Sequence, residues 1–365
     1  MKMNPIYVTK SYVPPLKEYI YQLDDIWKSG NFSNGGEKNC LFTKELKKYL
    51  NVENIILTPN GTLPLQIAIK QFSSKNKNEI ITTPFSYVAT TSSIFWENCK
   101  PIFVDINSKY LTIDENLIEK KINENTAAIL ATHVYGNPCN VDFIEEISKK
   151  YNIPVIYDGA HAFGVKYNRR SLLSYGDIST CSFHATKLMH TAEGGSIILN
   201  NSDLYGEIFR KSNFGHKTPY EFDGVGINAK MSELSAALGL VNIKYIDKIK
   251  KLRKDNFQVY DENLSFTRFK KPEIRKNTLI NYSYYPLIFD SEEILLHYIK
   301  RLKTSNIFPR RYFYPSLNTL NYIETYESMK ISEDVSKRIL CLPVSPHYDK
   351  STINYVVEKI NQINI

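Results

Sequence analysis

"NIILTPNGTLPLQIAIKQF", residues 54–72, decides the fold. The run "NIILT" is followed by a Pro-Asn-Gly turn and then by apolar residues at three- and four-residue spacing, Leu65, Ala68, Ile69 and Phe72. A β-rich run that gives way to helical periodicity across a glycine turn reads as strand, turn and helix, one βα unit. The strand signal recurs in "EIITTPF", "PIFVDI", "AAILATHVYG", "IPVIYDGA", "ISTCSFHAT" and "GGSIILN", alternating with helical patterns to about residue 200. Such alternation predicts an α/β fold with a mostly parallel sheet flanked by helices. Ligands of these sheets gather beyond the carboxyl ends of the strands.

Bulk properties narrow the class. The 365 residues, 42% hydrophobic and 13% aromatic, suffice for a sizeable core in about two domains and exclude a disordered chain. Apolar runs such as "SIIL" and "AAIL" fall far short of the ~20 residues of a membrane-spanning helix, and "MKMNPIYVTK" lacks the apolar stretch of a signal peptide. Five widely spaced cysteines without a CxxC pair argue against a disulfide framework or zinc knuckle, so a cytoplasmic protein without a metal is expected. The formal charge of +8 is spread through segments such as "KNKNE" and "KIKKLRK", as in a solvated surface, and no nucleic-acid module accompanies it. An acidic small molecule is compatible with this charge.

"MSELSAALGLVNIKYIDKIKKL" carries Met231, Leu234, Leu238, Val241, Tyr245, Ile249 and Leu252 at helical spacing, which predicts one long amphipathic helix linking two domains. Beyond it come polar loops, the strand-like "YSYYPLIF" and the helical "SEEILLHYIKRLKTS". The expected division is a large domain of residues 1–250, N-terminal segment included, and a smaller α+β domain of residues 251–365.

Four features at strand ends carry chemistry. Lys187 follows a strand ending near Phe183; a partly desolvated lysine loses its proton more easily and forms a Schiff base with a carbonyl, although a lone lysine there is commonly just solvated. Asp158 ends another strand, with His161 three residues on; its carboxylate can keep a pyridinium nitrogen protonated or merely cap a helix. Gly61 and Thr62 open a helix whose free N–H groups and dipole form a phosphate seat, to which Ser182 can add a hydroxyl; without Gly-Lys-Ser/Thr it is not a P-loop. Tyr87 can stack on a flat ring or pack in the core. His184 and His190 with Cys181 match no usual zinc spacing. Arg310 and Arg311, with Tyr312 and Tyr314, can grip a diphosphate.

In the order phosphate turn, aromatic, Asp and Lys, these segments resemble the DegT/DnrJ/EryC1/StrS sugar aminotransferases, fold type I enzymes dependent on pyridoxal 5'-phosphate. The resemblance runs from "WKSGNFSNGG" through "FVDI", "HVYGNPCN", "DGAHAFG", "SFHATK", "EGG" and "GINAKMSELSAALGL" to "PRRYFYPSL" and "CLPVSP". It implies that Lys187 carries the cofactor and shuttles protons, Asp158 pairs with the ring nitrogen, His161 lies near the ring hydroxyl, Tyr87 stacks on the ring, and Gly61, Thr62 and Ser182 hold the phosphate. Asn228 is implied to reach the neighbouring subunit's cofactor in a homodimer with shared active sites, and Glu193 to shape the sugar pocket.

The implied reaction moves an amino group from L-glutamate to a dTDP-linked keto-6-deoxysugar, in deoxyaminosugar biosynthesis of the kind that feeds the O-antigen of lipopolysaccharide. Sugar dehydratases of this fold carry histidine in place of the cofactor lysine, so Lys187 opposes that reading; a non-catalytic regulator with the same fold is a further alternative. "SFHATK" followed by "EGG" resembles relatives acting at C-4, which make dTDP-4-amino-4,6-dideoxyglucose, whereas C-3 enzymes tend to carry a Pro-Gly-Lys-Asn type of sequence.

Overall fold

The structure is a computed structural model that describes residues 4–363. Its main sheet has seven strands, β1 (Asn54–Thr58), β2 (Glu79–Thr82), β3 (Lys100–Phe103), β4 (Thr126–Thr132), β5 (Val155–Asp158), β6 (Ile178–Ser182) and β7 (Gly195–Leu199). They lie in the order β1-β7-β6-β5-β4-β2-β3. All the pairings are parallel except those of β7, which runs antiparallel to both β1 and β6. Every residue of β4 is buried, as the uninterrupted apolar run of a doubly covered strand requires. Ile129 and Ala131 face a core that includes Phe42, Leu46 and Ile144, whereas Ala128 and Leu130 face another that includes Leu65, Ala68 and Ile69. This is the expected α/β fold type I arrangement, and each strand read from the sequence is present.

The helix after the Pro-Asn-Gly turn runs from Thr62 to Phe72 and buries Leu65, Ala68 and Ile69, with Phe72 half-buried at its end. Ile67 and Gln66 are buried as well, so this helix is covered on more than the one predicted stripe.

The long helix expected over residues 231–252 is two helices, Glu233–Ile243 and Ile246–Asn263. Buried Asn242 donates to the His190 carbonyl at 2.8 Å, the Tyr245 N–H closes a short turn onto the Asn242 carbonyl, and the Tyr245 hydroxyl bonds Glu18. Those tertiary contacts redirect a chain whose periodicity reads as continuous. The second helix links two cores: Ile246 and Ile249 pack under the main sheet, and Phe257, Val259 and Tyr260 belong to another core with Leu287, Phe289, Leu340 and Val356. There Tyr285–Phe289 pairs antiparallel with Phe269–Lys270 and Ile339–Leu342, and Glu292–Thr304 forms the helix read in the sequence. The short strand Ile6–Tyr7 pairs with Ile307–Phe308, so Ile6 joins this second core. Among the described residues no helix is long and apolar enough to cross a membrane.

Glu233 ties the first of these helices to Glu37–Leu50. Its buried carboxylate accepts the N–H groups of Lys38 at 2.7 Å and Asn39 at 3.1 Å, at a helix start whose own N-cap, Gly36, offers no side chain. Glu233→Ala strands two buried donors and is expected to cost ~3 kcal/mol. The shift of the urea midpoint measures it; a change below about 0.5 kcal/mol, the scale of ordinary surface substitutions, would show that other groups cap this helix.

Candidate active site

The carboxyl ends of β4, β5 and β6 meet at one edge, where Thr132 is in register with Asp158 and Asp158 with Thr180. A cleft of about 250 Å³ opens there. Asp158 is 5% exposed, and each of its oxygens has a donor: Ala160 N–H to Oδ1 at 3.1 Å and the Thr90 hydroxyl to Oδ2 at 2.8 Å. Since the single Thr90 proton is spent on Asp158, Ser86 must donate to Thr90 at 2.7 Å, and Thr132 donates to Ser86 at 3.1 Å. Three hydroxyls thus point their protons, in relay, toward one buried carboxylate.

His161 is also buried. Its Nδ1 accepts the Tyr135 backbone N–H at 3.1 Å, which leaves the neutral ring with its proton on Nε2. Burial, with the Lys187 charge second, holds its pKa well below the usual histidine range, so Nε2–H is a donor throughout the neutral range. Lys187 stands in the loop between β6 and β7. Burial lowers its pKa, and the Asp158 charge partly opposes that effect. Its Nζ donates to the Tyr284 hydroxyl at 3.3 Å.

The phosphate turn forms as read, with one difference. Thr62 and Leu63 do not present free N–H groups, because the Asn60 Oδ1 accepts both at 2.9 Å. An anion takes them only by displacing that carboxamide. Gly61 is required sterically: a Cβ there would lie 2.6 Å from the Ser182 Cβ. Tyr87 is 54% exposed and lines the cleft, so its ring is available for stacking and not spent in the core.

Gly61, Thr62, Tyr87, Asp158, His161, Ser182, Lys187, Glu193, Arg310 and Tyr312 all line this cleft. Arg311 and Asn228 do not. Arg311 is turned away to Glu292 at 2.6 Å and the Lys337 carbonyl at 2.8 Å, at a tight turn in which the Tyr312 N–H donates to the Arg310 carbonyl. Asn228 is exposed and pairs through its backbone with Asn213. The sequence reading missed Ser86, Thr90 and Thr132, as well as Tyr284 and Phe313. The i,i+4 spacing of Ser86 and Thr90 after a strand end was a usable signal, whereas nothing local marks which tyrosine of "YSYYP" reaches Lys187.

The DegT/DnrJ/EryC1/StrS aminotransferase family model matches residues 16–361. The chain belongs to this family. It is similar to the dTDP-4-amino-4,6-dideoxy-D-glucose transaminase of Shigella dysenteriae, 38% identical over 369 residues that cover 99% of each protein. The dTDP-3-amino-3,6-dideoxy-alpha-D-galactopyranose transaminase of Aneurinibacillus thermoaerophilus is 27% identical over 95% of each. Among solved structures, DesI in the presence of its TDP-sugar product superposes with a TM-score of 0.92 at 25% identity, covering 98% of this chain and 93% of that one.

An aminotransferase of this family depends on pyridoxal phosphate, and the residues fit that cofactor. A buried carboxylate, a neutral imidazole donor, an amine of lowered pKa and a turn that only glycine can make beside Ser182 all converge on one cleft. When bound, the cofactor supplies the electron sink and the carrier for the amino group.

In the cofactor-free protein Lys187 is expected to react with formaldehyde and a borohydride reductant with a half-point below 10.5, the ordinary lysine value. Because its folded pKa is lowered, the protonated amine disfavours folding below that value, and the penalty fades as pH rises through it toward the unfolded pKa. Peptide mass spectrometry across pH reads the half-point; one at or above 10.5 contradicts the desolvated setting.

Proposed function

We propose that this aminotransferase transfers the amino group of L-glutamate to C-4 of dTDP-4-keto-6-deoxyglucose. The likeness to the Shigella transaminase over the whole of both chains carries this reading. Lys187 attaches the cofactor and, once released, takes the proton from the α-carbon of the amino donor and later delivers one to the sugar carbon being aminated. Asp158 holds the ring nitrogen's proton, the His161 Nε2–H donates to the ring oxygen, Tyr87 covers the ring, and Thr62 with Ser182 holds the phosphate. Arg310, its guanidinium 4.8 Å from the Tyr312 ring centroid, is the arginine that meets the sugar nucleotide's diphosphate, and Glu193 borders the sugar. Residues 1–250 serve as the cofactor-binding domain, with 251–365 as the small domain, in a cytoplasmic enzyme whose product feeds an O-antigen type of glycan. Amination at C-3 of a dTDP-3-keto-6-deoxyhexose is the second reading, favoured by the likeness to the Aneurinibacillus enzyme.

With L-glutamate and each keto sugar supplied separately, NMR is expected to place the amine at C-4, and Lys187→Ala is expected to yield no product. Product from the 3-keto substrate alone overturns the regiochemistry, and near-normal turnover by Lys187→Ala overturns the role of that residue.

Asn228, exposed and outside the cleft of its own chain, supports the reading of a homodimer with shared sites. Near it Tyr220, Phe222 and Val225 are 92, 63 and 81% exposed, an apolar segment suited to cover by a second copy. Mixing inactive Lys187→Ala with impaired Asn228→Ala subunits is expected to restore activity, since a mixed dimer holds one intact site. No recovery after verified subunit exchange counts against sharing.

A further inference from the structure

Tyr284 immediately precedes the strand Tyr285–Phe289, packs against a cluster that includes Phe85, Tyr135 and Phe313, and meets Lys187, on the β6–β7 loop, across the cleft. The segment that presents it is clamped: Asn281 donates to the carbonyls of His161 and Phe163, both at 2.9 Å, and its Oδ1 accepts the Ser283 N–H at 3.1 Å. Arg253, itself 2% exposed, donates to the Ser283 carbonyl at 3.4 Å. The Tyr284 ring lies against His161 at 4.4 Å, Tyr135 at 5.7 Å and Tyr312 at 5.8 Å between centroids. Tyr284 lines the active cleft, the small cavity behind Lys187 that Arg253 also borders, and an aromatic pocket beyond. Burial raises its pKa, so the hydroxyl is un-ionised in the neutral range.

We propose that Tyr284 is a positioning residue whose hydroxyl holds the Lys187 amine in the cleft whenever that amine is not covalently engaged. The inference rests on the assignment of Lys187 made above. A lysine chain loses more rotamer freedom on being ordered than most side chains do, and an amine that returns a proton to one carbon must be kept within reach of it. Asp158 acts on the amine through its charge, with both of its oxygens already supplied by Thr90 and Ala160. The Tyr284 hydroxyl supplies the direct contact at 3.3 Å. Phenylalanine at 284 keeps the ring packing and removes only this acceptor.

The charged and titratable groups around Lys187 are Asp158, His161, Tyr312, Cys181, Tyr87 and Arg253, with His184, Glu193 and Arg310 on the same cleft, and all are unchanged in Tyr284→Phe. Loss of an acceptor for the ammonium form is expected to move the Lys187 half-point down. Reductive methylation of Lys187 across pH in the cofactor-free protein reads this shift. In the holoenzyme kcat is expected to fall ~10-fold, the scale of one hydrogen bond to a charged group, with KM for L-glutamate within about twofold of normal. Tyr284→Leu, which lacks both ring and hydroxyl, is expected to shift the methylation profile in the same direction, so either soluble variant carries the test. An unmoved Lys187 profile with unchanged kcat in Tyr284→Phe overturns the proposal and leaves a packing role only. If Lys187→Ala is inactive, that result refutes Tyr284 alone; turnover by Lys187→Ala refutes the assignment beneath it.

Discussion

A carboxylate buried at the end of a parallel strand has to be given donors, and much of the cleft is arranged around that requirement. Asp158 is only 5% exposed at the cleft, and Ala160 supplies it a backbone N–H and Thr90 a hydroxyl. Thr90 is fixed in turn by Ser86, and Ser86 by Thr132. These residues come from the turn after β2, the helix Val88–Trp96 and the end of β4, so one charge fixes how three segments meet at the sheet edge. The negative charge also acts on Lys187, opposing the burial that lowers that amine's pKa.

The cleft takes its two sides from different cores. Lys187, Ser182 and Gly61 belong to the strand ends and connections of the main sheet, whereas Tyr284, Arg310 and Tyr312 come from the chain beyond residue 263, next to the strands Tyr285–Phe289 and Ile339–Leu342. The helix Ile246–Asn263 is common to both cores, with Ile249 in one and Tyr260 in the other. Asn281 adds a polar tie at the cleft itself by binding the turn that carries His161. Relative placement of the two sides therefore depends on a shared helix, on these hydrogen bonds and on a buried apolar cluster in which Phe85, Val134 and Tyr135 meet Ile288, Phe313 and Cys341.

Much of this was legible in the sequence because it is local. The β-rich runs, the glycine turn before Thr62 and the strand-end positions of Asp158 and Ser182 depend on residues within one unit. What escaped depends on distant partners. The break near Tyr245 comes from Asn242 meeting His190 and Tyr245 meeting Glu18, neither of which alters the helical spacing of Met231 to Leu252. Arg310 and Arg311 are chemically alike, and only the turn between them and the distant Glu292 decide that the second leaves the cleft. Asn60 looked like turn punctuation; that its carboxamide would occupy the two N–H groups expected to be free depends on a rotamer that no pattern encodes.

The antiparallel course of β7 carries a consequence for the order in which the parts assemble. Ser182 and Gly195 are partners on a single ladder, so the loop holding Lys187 leaves and re-enters the sheet on neighbouring strands. Closing it brings together residues near in sequence, whereas Asp158 needs the parallel β4–β5–β6 pairing and Tyr284 must arrive from a segment almost a hundred positions further on. Short loops close at low entropic cost and long ones more slowly. Lys187 thus sits on a hairpin closed by short-range pairing, whereas Asp158 and Tyr284 reach it through contacts distant in sequence.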